Sequence, residues 1–313
     1  MQYRLGVDLG GTKIEIVALN QQGDKVFSKR LDTPNGCYLS TLKAIVKLVN
    51  DAENFLETEL DADLTLPVAL GIGIPGSISP RTGLVRNANS TWLIDQDLKG
   101  DLQKQLNRNI AVENDANCFA LSEAVDGAGR HAKTVFGVII GTGCGGALII
   151  DKKVLTGANA IAGEWGHNPL PWIASETDHL HARAAFLDCY CGLKGCNETF
   201  LSGSAIESHF VYRGGERLTA KKIVALSEQG DVRAKELMDD YIVWLAKGLA
   251  SVINLFDPDV IVLGGGLSNV QRIYHDVPAI WDQWIFCNEP AVTQLLPPEF
   301  GDSSGVRGAA WLS

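Results

Sequence analysis

The 313-residue chain sets 37 acidic against 27 basic side chains, a formal net charge of −10, with 46% hydrophobic and 20% charged residues. That balance is ordinary for a globular protein in water, the length suits two domains with a sizeable core in each, and no basic face is available to displace counterions from a nucleic acid. No run of 18 or more apolar residues appears, which excludes a membrane-spanning helix.

Strands are predicted over Tyr3–Val7, Ile14–Leu19 and Lys25–Leu31, the last two joined by a polar turn at Asn20–Asp24. A strand starting this early leaves no secretory leader, so the expected location is cytoplasmic. Between the first two strands lies Asp8-Leu9-Gly10-Gly11-Thr12-Lys13. Paired glycines there expose several backbone N–H groups in one concavity, which suits a phosphate, and equally make a plain tight hairpin. No Gly-x-Gly-x-x-Gly opens a helix, so this is neither a P-loop nor a dinucleotide fingerprint.

Residues 39–59 place Leu42, Ile45, Val46, Leu48 and Val49 at helical spacing. Val68–Ile74 reads as a buried strand ending at Pro75-Gly76-Ser77, and open α/β sheets bind ligands at such strand exits. Arg86-Asn87-Ala88-Asn89-Ser90-Thr91-Trp92 supplies amides, hydroxyls and an aromatic ring, either a sugar site or a simple turn. Ile110–Val112 is a short strand, and Glu113-Asn114-Asp115-Ala116-Asn117 opens a helix running through Val125. Asp115 either complements the helix dipole or serves as a general base. So many poor helix formers in one turn favour the functional reading.

Val135–Ile140, the loop Gly141-Thr142-Gly143-Cys144-Gly145-Gly146, Ala147–Ile150, a turn at Asp151–Lys153 and a third short strand repeat the opening of the chain. The repetition predicts a duplicated domain whose two glycine hairpins hold a polyphosphate between them. Glu164-Trp165-Gly166-His167 and Cys189-Tyr190-Cys191-Gly192-Leu193-Lys194-Gly195-Cys196-Asn197-Glu198 then gather three cysteines and a histidine. Four such ligands suit a closed tetrahedral zinc site better than a disulfide or apolar filler, and a bound ion would draw Glu164 and Glu198 together. His167 stands 22 residues before Cys189, and His179 and His181 in the insert are alternatives for the fourth ligand.

Helices are expected near Ser204–Tyr212, Lys221–Glu228 and Val232–Phe256. The strand Asp259–Leu263 exits at Gly264-Gly265-Gly266, which either lets a nucleotide base or ribose approach the backbone or simply releases the strand. Ser303–Trp311 holds a small-residue helix suited to close packing.

Taken together, Asp8–Lys13, Gly141–Gly146, Glu164–His167, Cys189–Glu198 and Gly264–Gly266 resemble, in order and over nearly the whole chain, the ROK family of bacterial sugar kinases and related repressors. The resemblance implies an α/β, two-domain actin/Hsp70-like (ribonuclease H-like) ATPase fold with a cleft between domains. It implies a small domain over 1–117, onto which residues 300–313 pack back, and a large domain over 118–299 carrying the zinc loop. By position, Asp8, Gly10, Gly11, Thr12, Lys13, Gly141, Thr142 and Gly143 would face the ATP phosphates, with Asp8 also holding Mg²⁺. Gly264, Gly265 and Gly266 would line the adenosine pocket. Asn89, Asn114, Glu164, His167 and Glu198 would hold the sugar, Asp115 would be the catalytic base, and His167, Cys189, Cys191 and Cys196 would bind a structural Zn²⁺. Repressors of the family carry a helix-turn-helix ahead of the first glycine loop, which is expected to be absent here.

Arg86–Trp92 and Glu164–Trp172 most resemble the fructokinase branch, which implies phosphorylation of D-fructose to fructose 6-phosphate. Mannose, glucose or N-acetylglucosamine are alternative acceptors within the family. A non-catalytic sugar sensor and a zinc hydrolase are the competing classes, the second requiring an open metal position. The expected partners are a hexose and ATP, with no nucleic acid and no membrane, and the expected assembly is a homodimer.

Overall fold

The computed structural model describes residues 3–173 and 187–312. By residue contacts the chain divides into one unit formed by Met1–His131, Leu148–Ala162 and Glu299–Ser313, and another formed by Ala132–Ala147 and Gly163–Pro298. The sequence expectation placed its division at residue 117; here the helix that follows falls wholly in the first unit.

In chain order the first unit opens with β1 (Arg4–Leu9), β2 (Lys13–Leu19) and β3 (Lys25–Asp32), then helix α1 (Tyr38–Leu60) and strand β4 (Ala69–Ile74). A small ribbon of β5 (Ser77–Ile78) and β6 (Val85–Arg86), helix α2 (Leu98–Leu106), strand β7 (Ala111–Asn114) and helix α3 (Asp115–Val125) follow. The sheet order is β3-β2-β1-β4-β7, with β1–β2 and β2–β3 antiparallel and β1–β4 and β4–β7 parallel. Alternation along β2 explains its two-sided burial. Ile14, Ile16 and Ala18 join a core with Leu42, Ile45, Leu48 and Val49 of α1, while Val17 and Leu19 meet Val306 and Ala310 on the opposite face.

Those last two residues belong to the C-terminal helix, Ser304–Trp311, which lies directly on the sheet. Glycines make that approach possible: a Cβ on Gly6 would fall 2.2 Å from the Val306 carbonyl oxygen, and one on Gly71 would fall 1.9 Å from that of Ala309. Buried Glu123 of α3 pins the segment leading into this helix, accepting from Ser304 Oγ at 2.7 Å and from the Ala128 and Glu299 amides at 3.0 Å each. A carboxylate this buried is tolerable because its oxygens are satisfied. Arg307 adds an ion pair to Asp126 and a bond to the Gly23 carbonyl at 2.9 Å.

The second sheet runs β10-β9-β8-β11-β12, from β8 (Thr134–Ile140), β9 (Cys144–Ile150), β10 (Lys153–Val154), β11 (Val260–Gly264) and β12 (Gln294–Leu296). Numbered within each half, both sheets have the order third-second-first-fourth-fifth, so the duplication predicted from the glycine hairpins extends to the whole sheet. Between β10 and β11 come α4 (Glu198–Leu201), α5 (Gly203–Tyr212), α6 (Ala220–Glu228) and α7 (Val232–Phe256), and α8 (Ile273–Asp276) and α9 (Ser304–Trp311) complete the chain among the described residues. Helix α7 buries Leu237, Tyr241, Trp244, Leu245 and Leu249 along one stripe. Strand β12 was not predicted: three residues before Pro297-Pro298 are too few to show a period.

Candidate active site

The parallel strands β1, β4 and β7 end side by side, and the first-unit residues expected to act stand at those carboxyl ends, where open α/β sheets place their ligands. Asn114 closes β7 and caps α3: its Oδ1 accepts from the Ala116 amide at 2.9 Å, and its Nδ2 donates to the Gly76 carbonyl at 3.0 Å. That second bond ties the exits of β4 and β7 together. Gly76 has φ +90, and a Cβ there would sit 2.4 Å from the Arg86 carbonyl oxygen, so the segment Arg86–Ser90 presses onto the same edge and brings exposed Asn89 with it.

Asp115 is the first residue of α3 and is exposed, its Oδ1 accepting from the Ala116 amide at 2.8 Å. An anionic side chain is favoured at a helix N-terminus. Glu113, just before, works as a brace, accepting from Asn117 Nδ2 at 2.8 Å and Thr156 Oγ1 at 3.1 Å.

Asp8 pairs in register with Glu15 of β2, which pairs with Arg30 of β3, and Arg30 Nη2 reaches Glu15 Oε2 at 2.6 Å. Burial, then the nearby Asp115 and Glu15 carboxylates, push the Asp8 carboxyl from 3.8 up to about 7, against the pull of Arg30. Three carboxylates against one guanidinium leave an excess of hard oxygen donors, the donor chemistry that suits Mg²⁺. Beside them the Gly10–Thr12 loop is closed by Gly10 N donating to the Lys13 carbonyl at 2.9 Å and is held from β3's end by Thr33, whose Oγ1 donates to the Gly10 carbonyl at 2.8 Å. Gly11, Thr12 and Lys13 remain exposed.

In the second unit β8 and β11 are parallel and exit at Gly141 and Gly264. Gly264 is buried within β11, so only Gly265 and Gly266 form the open part of that run. Gly265 has φ +79, and a Cβ on it would meet the Ile140 carbonyl oxygen at 2.5 Å, which sets this loop against the end of β8. The neighbouring hairpin loop is shorter than predicted: β9 already starts at Cys144, leaving Gly141-Thr142-Gly143 as the turn.

Glu164 precedes a single 3-10 turn, Trp165–His167, and is exposed. Trp165 anchors the turn by donating Nε1 to the Gly145 carbonyl at 3.0 Å and setting its ring edge-on to Phe136. Glu198 opens α4 and is half-buried, its Oε2 accepting from the Cys144 amide at 3.0 Å.

Between these two carboxylates lies the cysteine loop. The ligand atoms of His167, Cys189, Cys191 and Cys196 all lie within 4.8 Å of one another. His167 Nδ1 stands 3.6 Å from Cys189 Sγ, and the sulfurs of Cys191 and Cys196 are 3.7 Å apart. Ligands ~2.0–2.3 Å from one tetrahedral ion stand roughly 3.5–3.8 Å apart, so this donor set fits zinc. Sulfurs at 3.7 Å are not a disulfide, and all seven cysteines are free. His179 and His181, the alternative ligands, lie outside the described residues. The backbone supports the knuckle: Cys189 N donates to the Leu193 carbonyl at 2.9 Å, Gly195 N to that of Leu187 at 2.9 Å, and Asn197 N to that of Asn168 at 2.7 Å.

Sequence reasoning missed Tyr190. Its hydroxyl meets His167 Nε2 at 3.1 Å and its ring lies edge-on to the imidazole at 5.2 Å, while the side chain stays largely exposed. The signal was available, since Tyr190 separates the first two cysteines of the loop. Glu15 and Arg30 were also missed, because their roles come from strand register rather than from any motif, and the bracing of Glu113 by Thr156 comes from tertiary contact.

The sequence profile of the ROK family matches residues 4–313. This chain belongs to the ROK family. Among its relatives, the N-acetyl-D-glucosamine kinase of Vibrio cholerae is 38% identical over 98% of this chain and 98% of its own, and that of Pasteurella multocida is 38% identical over 99% and 98%. Among solved structures, a ROK hexokinase from Thermus thermophilus superposes with a TM-score of 0.84 at 26% identity, covering 100% of this chain and 98% of its own. The α/β fold is thus the two-domain actin/Hsp70-like, ribonuclease H-like fold of ROK sugar kinases. The expected leaning toward fructokinase over N-acetylglucosamine kinase gains no support from these relatives. Among the described residues, no helix is long and apolar enough to cross a membrane.

Proposed function

We propose that this ROK-family sugar kinase transfers the terminal phosphoryl group of ATP to a hydroxyl of N-acetyl-D-glucosamine. The observation that carries the choice of sugar is the 36–38% identity, over nearly the full chain, to relatives named for that activity.

We assign the chemistry by each residue's match to the family's motifs, which its place at a strand end or in the cysteine loop supports. Phosphoryl transfer depends mainly on positioning and charge neutralisation. The loops Asp8–Lys13 and Gly141–Gly143 offer backbone N–H groups for phosphate oxygens, and Gly265-Gly266 leaves room for the adenosine. Asp115 takes the proton from the acceptor hydroxyl, a general-base contribution of roughly 10²–10⁴-fold in rate. Asp8 is the residue to hold Mg²⁺, which when bound neutralises phosphate charge. Asn89, Asn114, Glu164, His167 and Glu198 bind the sugar, and Tyr190 joins them as a further hydroxyl donor. The four zinc ligands leave no open position for a metal-bound water, so a structural ion is assigned here, one that fixes the loop carrying Glu198.

ADP release with N-acetylglucosamine, fructose, mannose and glucose tests the reading directly. N-acetylglucosamine is expected to give the highest kcat/KM. Preference for fructose would restore the reading drawn from Arg86–Trp92, and no ADP release with any hexose would leave a sugar sensor instead.

A further inference from the structure

The loop Gly141–Gly143 is gripped from the segment that leaves the cysteine knuckle. Glu198 Oε2 accepts from the Cys144 amide at 3.0 Å, Gly203 N donates to the Gly141 carbonyl at 2.7 Å, and Ser204 Oγ donates to the Thr142 carbonyl at 2.7 Å. A Cβ on Gly143 would stand 2.8 Å from the same Glu198 oxygen, so the loop backbone lies flat against this carboxylate. From the other side of the knuckle, Gly166 lies so near the Cys144 carbonyl oxygen that a Cβ there would fall 1.9 Å away. Both segments flanking the metal ligands therefore touch the first residue of β9.

The geometry points to Glu198 as a positioning residue that joins sugar to nucleotide: one carboxylate oxygen sets the phosphate hairpin through the Cys144 amide while the other is left for a sugar hydroxyl. Among the described residues, no hydrogen bond reaches Oε1 of Glu198. A sugar hydroxyl bonded to Oε1 fixes the carboxylate plane, and with it the Cys144 amide and the Gly141–Gly143 backbone. Binding linkage is reciprocal, so nucleotide tightens sugar by the same factor as sugar tightens nucleotide. The inference rests on the reading of this hairpin as a phosphate loop and of Glu198 as a sugar ligand.

Calorimetric titration of Mg²⁺–ADP into the full-length protein, with and without N-acetylglucosamine, tests it on wild type, Glu198→Gln and Glu198→Ala. Zinc content and Tm are measured on each variant so that loss of the knuckle is recognised. Wild type is expected to bind ADP ~5-fold or more tightly once sugar is present. Glu198→Ala is expected to bind ADP roughly tenfold more weakly even without sugar, as for loss of a charge-assisted hydrogen bond. Glu198→Gln, whose amide oxygen still accepts, is expected to recover sugar-free ADP binding with zinc retained. Wild-type ADP affinity in zinc-loaded Glu198→Ala, or equal impairment of the Gln and Ala variants, would overturn the inference. Failure to phosphorylate N-acetylglucosamine strikes only the sugar reading, because the sugar-free titration does not depend on it.

Discussion

The two glycine hairpins differ more in what surrounds them than in their backbones. Each turn closes on its own backbone, Gly10 N on the Lys13 carbonyl and Gly141 N on the Gly143 carbonyl. Gly10–Thr12 is further held by Thr33 of the adjoining segment, whereas Gly141–Gly143 is held by Gly203, Ser204 and Glu198, which follow the three cysteines. Two residues before each loop's first glycine stands Asp8 in the first case and Ile139 in the second, both half-buried at the same point of their strands. Both halves thus carry a glycine turn at the same point of the sheet, with carboxylates gathered beside the first and the Cys/His cluster beside the second. On the function proposed above, the first hairpin serves charge and the second placement.

Disrupting the cysteine knuckle is expected to break the second half most severely. Cys196→Ser is expected to abolish zinc binding, lower Tm and remove sugar binding together; metal analysis with calorimetry checks it, and full sugar affinity in a zinc-free protein would contradict a structural role for the ion. Asp8→Asn breaks the first half differently. It is expected to lose Mg²⁺-dependent turnover yet to raise the stability of the metal-free protein at neutral pH, because a carboxylate forced to ionise where it is buried costs stability.

The sign follows from linkage. With the Asp8 carboxyl raised from 3.8 to about 7, the folded protein binds more protons than the unfolded chain between those values, so stability of the metal-free wild type falls as pH rises through that window. Denaturation at pH 5 and pH 8 should show that drop in wild type and a smaller one in Asp8→Asn. Tyr190→Phe sharpens the comparison with the smallest effect. Losing one neutral hydroxyl, worth about 0.5–1.5 kcal/mol, is expected to raise KM for sugar by roughly 2- to 10-fold while kcat, zinc content and KM for ATP hold. A fall in kcat with unchanged KM would instead place the phenol in the chemistry.

Much of this was legible in the chain because the relevant signals are local. The Asp8–Lys13 and Gly141–Gly143 turns, the Cys189–Cys196 spacing and the Asn114-Asp115 start of α3 all depend on residues a few positions apart. What stayed hidden arises where distant segments meet. Glu15 and Arg30 flank Asp8 only through antiparallel register, Glu113 is braced by Thr156, and Tyr190 acquires meaning from His167, 23 residues earlier. The tight seat of α9 on Gly6 and Gly71 is likewise a property of tertiary packing; the small residues of α9 announced only that something would come close.

The proposed division of labour, acid chemistry at the first hairpin and placement at the second, meets its most direct test in Asp115→Asn. Calorimetry with N-acetylglucosamine and ADP release are measured on the same preparation. Wild-type sugar affinity with kcat lowered ~10²–10⁴-fold is the expected result for a lost general base. ADP release at the wild-type rate would remove Asp115 from the reaction and contradict the assignment.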